Sequence, residues 1–148
     1  RRRILSEKLL AVLILISVLN LLCFGVSLAS IALMGEPLPF REMALLHLAY
    51  YLLQLELAGL CFGLSAFLRR GSLGAGMGIA IFMYGLHLLS NLSASAKFLK
   101  YITPFAFCDG AGIMEQGRLE ADLLAVGLGL GALGIVAAYG KYEGKDIQ

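Results

Sequence analysis

Charge is what this sequence has least of. Only 15% of its 148 residues are Asp, Glu, Lys or Arg, against 59% hydrophobic, and the mean hydropathy is +0.85. A water-exposed domain carries roughly a quarter to a third charged residues on its surface, so the shortfall argues against a soluble fold and for lipid as the solvent. Cysteine is sparse too: Cys23, Cys61 and Cys108 form no C-x-x-C pair, which supports neither a zinc site nor a disulfide framework. Catalytic signatures are missing as well. There is no G-x-S-x-G, no H-E-x-x-H and no G-x-x-x-x-G-K-[ST], so the chain is read as a non-enzyme that holds no metal and no cofactor and does not hydrolyse ATP itself. One nucleotide-like string is present, Gly129, Gly131 and Gly134 in G-x-G-x-x-G order. A dinucleotide loop must follow a strand and open a helix, whereas this string lies inside an apolar run where a phosphate would have to enter lipid.

What is there is a set of long, almost uncharged runs, at about 9–34, 44–68, 73–92 and 123–139. About 20 helical residues cross a hydrocarbon core. The expected fold is therefore all-α: one polytopic transmembrane helix bundle of four spans, with short outer interfacial helices. The first run is longer than a signal-peptide core and is expected to stay in the chain. Arg1, Arg2, Arg3, Lys8, Arg69, Arg70, Lys141 and Lys145 fall on one side of the runs, and Arg41, Lys97, Lys100 and Arg118 on the other. Positive residues favour the cytoplasm, which predicts both ends inside a plasma (inner) membrane. Because these cations flank spans instead of forming a stripe with interleaved aromatics, they suit lipid headgroups and not nucleic acid.

Between the runs, "GEPLPFRE" is a short connector broken by Pro37 and Pro39. The segment 93–121 is longer and reads as an outer helical loop. Pro104 interrupts it, Asp109 is placed to cap a short helix and Gly117 to end one. Phe98, Tyr101, Phe105 and Phe107 are expected at headgroup depth.

A few polar residues interrupt the runs. Glu56 lies twelve residues past Ala44, about 18 Å along a helix and near mid-membrane. An ionisable group at that depth is costly and marks a functional site by default; the plainer reading is a neutral or paired carboxyl that locks helices together. Helical phase puts Glu56 on one face with Ala49, Leu52, Gly59 and Gly63, and puts His47, Tyr50, Tyr51 and Gln54 on the opposite face. His87 and Asn91, four apart, share a third face. Glu56, His47, Gln54, His87 and Asn91 are the candidates for a polar pathway or a conformational latch. Glycines are patterned as well: Gly59 and Gly63, Gly74 and Gly78, and Gly127 and Gly131 are G-x-x-x-G pairs, the last extended by Gly134 and Ala138. Small residues at this spacing let membrane helices approach closely, because lipid supplies no hydrophobic force and packing must replace it.

The stretches "RRRILSEKLLAVLIL", "CFGLSAFLRRGSLGAGMGIAI", "FLKYITPFAFCDGAGIM" and "YGKYEGKDI" resemble the C-terminal four spans of an ABC-2 type ABC transporter permease. The resemblance implies an exporter subunit that moves substrate by alternating access, driven by ATP bound on a separate cytoplasmic ABC ATPase subunit. It also implies a second permease copy or homologue as partner, and two further spans ahead of Arg1. On that resemblance Arg1, Arg2, Arg3, Glu7 and Lys8 belong to a segment that contacts the ATPase, Arg69 and Arg70 to a cytoplasmic turn, and the loop around "YITPFAFCDGAGI" to an element that helps close the outer mouth. The reading from another class is a small four-span scaffold or assembly protein without transport activity.

Overall fold

Almost every described residue is helical, as an apolar chain in lipid requires: with no water to accept its backbone hydrogen bonds, it must satisfy them within each segment. The structure, a computed structural model, describes residues 2–67, 73–92, 98–99, 101–103 and 105–144. Helix α1 runs Arg2–Met34, α2 Phe40–Phe67, α3 Leu73–Leu92, α4 Gly110–Gln116 and α5 Ala121–Gly144, with a short 3₁₀ turn at Ala106–Cys108 ahead of α4. No strand occurs among the described residues.

Helix α1 starts well before Leu9 because its basic leader continues the helical pattern; Arg3 Nε donates to Glu7 Oε1 at 2.9 Å, one turn on. It stops at Gly35, whose φ of 73° is left-handed. Helix α2 begins four residues before Ala44, since the Pro39 carbonyl accepts the first helical bond from the Met43 amide at 3.0 Å. Helix α5 outruns 123–139 at both ends. In the outer loop Gly117, at φ 60°, ends α4 and returns its amide to the Ile113 carbonyl. Asp109 does stand at the N-cap position of α4, yet its side chain makes no capping bond.

Among the described residues, three helices are long and apolar enough to cross a membrane: Arg3–Met34, Phe40–Phe67 and Ala121–Lys141. The fourth run is the 20-residue helix α3, whose apolar stretch Gly76–Leu92 is shorter.

Helix α2 is the hub. It packs against α5 along most of its length and against α1 on another side, and the 3₁₀ turn and α4 fold over it. At one end of the bundle the Ser6 and Tyr139 hydroxyls are 2.8 Å apart and Lys141 Nζ lies 5.6 Å over the Phe67 ring. The start of α1 and the ends of α2 and α5 therefore meet there. At the other end the Phe105 ring packs on Tyr84 and His87 of α3, at 5.5 and 6.3 Å between centroids.

Of the loop aromatics expected at headgroup depth, Phe107 is packed against the protein itself. Phe98 and Tyr101 are exposed, but Phe107 is only 3% exposed and, with Leu123, nucleates a cluster joined by Leu52, Leu53, Cys108 and Leu124. The cause is a glycine. A Cβ at Gly127 would stand 2.9 Å from Phe107 Cε1, so the bare α5 backbone leaves the space the ring fills.

Candidate functional site

Glycine builds the site. The Gly59–Gly63 step of α2 meets the Gly131–Gly134 step of α5 with no side chain between them. A Cβ on Gly63 would lie 2.6 Å from the Gly134 carbonyl oxygen, and one on Gly131 would lie 2.9 Å from Glu56 Cα. Real Cβ atoms do not approach other atoms so closely, so this crossing admits only glycine. Gly127 continues the same stripe, and Ala138 closes it at the far end, fully buried. Ala49, Glu56, Gly59, Gly63 and Ala66 form the buried face of α2. The α5 stripe is thus a helix-packing surface and not a phosphate cradle.

Glu56 projects from this crossing towards Gly127, where its carboxyl oxygen occupies the place a Cβ would take. It is 1% exposed, the largest fully buried side chain, and neither Oε1 nor Oε2 has a hydrogen-bond partner. A buried polar group normally has one, so this carboxyl, with both oxygens unpartnered, is anomalous. Phe107 reaches the same point beside Gly127 from the 3₁₀ turn. Next to it, the Cys108 thiol donates to the Ala49 carbonyl at 3.3 Å. Burial pushes that thiol up to about 12, which makes it an unreactive packing group. Beyond Phe107 opens a polar cleft that Phe107 itself helps to line, together with Asp109, Gln116, Arg118 and Glu120.

The remaining polar candidates do not join Glu56. His47 faces α1: its Nε2 lies 3.2 Å from Ser27 Oγ, and its ring packs on Phe24 and Tyr50, at 5.0 and 6.4 Å. Ser27 Oγ already donates to the Cys23 carbonyl, so a hydroxyl with one proton accepts from His47, which fixes the proton on Nε2. The pattern repeats further along the seam, ten residues back on α1 and four residues on along α2. Ser17 donates to the Leu13 carbonyl and accepts from the Tyr51 hydroxyl at 2.8 Å. Asn20 adds a long bond, 3.5 Å, to the His47 carbonyl. Gln54 is half-buried and its Oε1 has no partner. His87 Nε2 and Asn91 Nδ2 are 3.3 Å apart on α3, where the His87 ring packs on Phe105. Apart from the His87–Asn91 pair, the polar candidates therefore occupy separate places instead of one pathway.

Gly74 and Gly78 also depart from the expected close packing, because nothing approaches within 4 Å of the position of a Cβ on either. Helix α3 touches α2 only weakly, and its glycine flank is open. Arg3, Glu7 and Lys8 are exposed at the end of the bundle where α1 begins. Arg1, Arg69 and Arg70 lie outside the described residues, as does the side chain of Arg2. No group of three or more potential metal ligands occurs among the described residues.

The sequence names Phe107 and Cys108 but does not mark them as neighbours of Glu56, and it does not single out Ser17, Asn20 or Ser27. The α1 residues carried a signal, since they recur at helical spacing opposite the His47 and Tyr51 face. No protein-family model, curated protein or solved structure matches the chain.

Proposed function

We propose that the chain is the membrane-spanning permease subunit of an ABC-2 type ABC transporter, an exporter working by alternating access and driven by a separate cytoplasmic ATPase subunit. The observation that carries this reading is the α2–α5 crossing with the outer segment seated on it. Two long helices meet backbone to backbone, so they can shift without dragging interlocked side chains. The 3₁₀ turn, with Phe107 inserted and α4 behind it, closes the groove between them from one end. An outward-opening machine needs both parts, a low-friction contact and a plug.

In this reading α3 is a fourth span. Its support is topological: α3 follows the α2 end that lies by Lys141 and finishes near Phe105 at the opposite end. Both termini then lie on the cytoplasmic face of the plasma membrane, where exposed Arg3, Glu7 and Lys8 are available to an ATPase subunit. The open flank at Gly74 and Gly78 is where a second permease copy would pack.

The test is co-purification of the chain with an ABC ATPase subunit co-expressed from the same genome, with Arg1, Arg2 and Arg3 all reversed to Glu as the variant. The permease reading expects a complex that the variant loses, together with ATP hydrolysis that responds to the membrane partner. A chain that assembles in the membrane but never binds an ATPase supports the four-span scaffold instead.

A further inference from the structure

We propose that Glu56 is a proton-binding site that exchanges with the outer solution through the polar cleft, with the Phe107 ring as the barrier between them. The carboxyl is fully buried and both its oxygens are unpartnered. A small metal cation would demand several oxygen ligands, and no group of three or more potential ligand side chains occurs among the described residues; a proton requires only the carboxyl itself. The surroundings are consistent with this occupant. Helix α5 turns bare glycine, Gly127 and Gly131, towards Glu56, and its Asp122 is exposed at the helix start. On α2 itself, His47 and Tyr51 are bonded to α1. The 3₁₀ turn brings only the Cys108 thiol.

The route follows from one side chain that belongs to two places. Phe107 lines the cleft with Asp109, Arg118 and Glu120, and the same ring reaches the point beside Gly127 that the Glu56 carboxyl reaches from below. When the ring swings aside, water from the cleft meets the carboxyl. The neutral Glu56 acid then gives its proton to that water as hydronium, which leaves through the cleft, and the carboxylate regains a proton from hydronium arriving by the same route.

Infrared spectroscopy of the full chain in lipid bilayers tests this without any transport partner, so its outcome is separable from that of ATPase binding. The wild type is expected to show a protonated-carboxyl C=O band at neutral pH that disappears in Glu56→Gln and shifts only slowly after transfer to D₂O. In Phe107→Ala the shift is expected to be faster by about an order of magnitude, because local opening no longer has to expel a packed ring. Phe107→Leu, which keeps an apolar plug and guards against a folding defect, is expected to fall between the two. A wild-type spectrum identical to that of Glu56→Gln would overturn the proton site. Equal exchange rates in the wild type and the folded Phe107→Leu protein would overturn the route.

Discussion

The two seams of α2 are built on opposite principles. Against α1 it is joined by side chains: Tyr51 to Ser17, His47 to Ser27, and Phe24 over the His47 ring. Against α5 it is joined by their absence, Gly59 and Gly63 meeting Gly131 and Gly134. Hydrogen bonds between membrane helices are each worth little, about 0.6 kcal/mol on average, because partners exist in the unfolded chain too. Close backbone packing has no such spare partner. It gains dispersion over many atoms and tolerates no added volume. The α1 seam should therefore degrade gradually, one bond at a time, and the α5 seam should fail at a single methyl.

The largest effect is expected at the α5 seam. Gly131→Leu places a branched side chain where even a Cβ would be 2.9 Å from Glu56 Cα. It should cost about 3 kcal/mol or more, read as loss of the folded fraction in a detergent denaturation series. Tyr51→Phe should be far milder. It removes one hydrogen bond and leaves Ser17 bonded to its own Leu13 carbonyl, so about 0.6 kcal/mol is expected in the same series. If it matched Gly131→Leu, the contrast between the seams would collapse. Gly78→Leu should be the smallest of the three, within about 0.5 kcal/mol for the isolated chain, because its Cβ position is open. Any loss it causes should appear instead as weaker association between copies in analytical ultracentrifugation.

The seams were not equally legible in the sequence. The stripe Gly127, Gly131, Gly134 and Ala138, and the face of Ala49, Glu56, Gly59 and Gly63, could be read directly, because small residues repeating every three or four positions in an apolar run have few other uses. The α1 seam was half legible. His47 and Tyr51 stood out, but Ser17 and Ser27 did not, since a serine in a membrane helix satisfies itself on the carbonyl four residues back and so advertises no partner. The packing of Phe107 was hidden for a different reason: an aromatic residue shortly after a proline in a loop between spans suits the headgroup region as well as a groove. Only the vacancy at Gly127, set by how α5 crosses α2, decides between them. The weak docking of α3 was hidden by its composition, because a helix that is apolar on all sides looks the same facing lipid as facing protein.

The account stands on the α2–α5 crossing, and the sign of one substitution tests it most directly. In an exposed or loosely packed helix, Gly→Ala stabilises by about 1 kcal/mol, because alanine is the better helix former. At Gly131 the added methyl meets the Glu56 backbone, so Gly131→Ala should instead destabilise the folded chain by about 1–3 kcal/mol when its unfolding in detergent is compared with that of the wild type. A Gly131→Ala chain that is as stable as the wild type, or more so, would show that the two backbones do not touch.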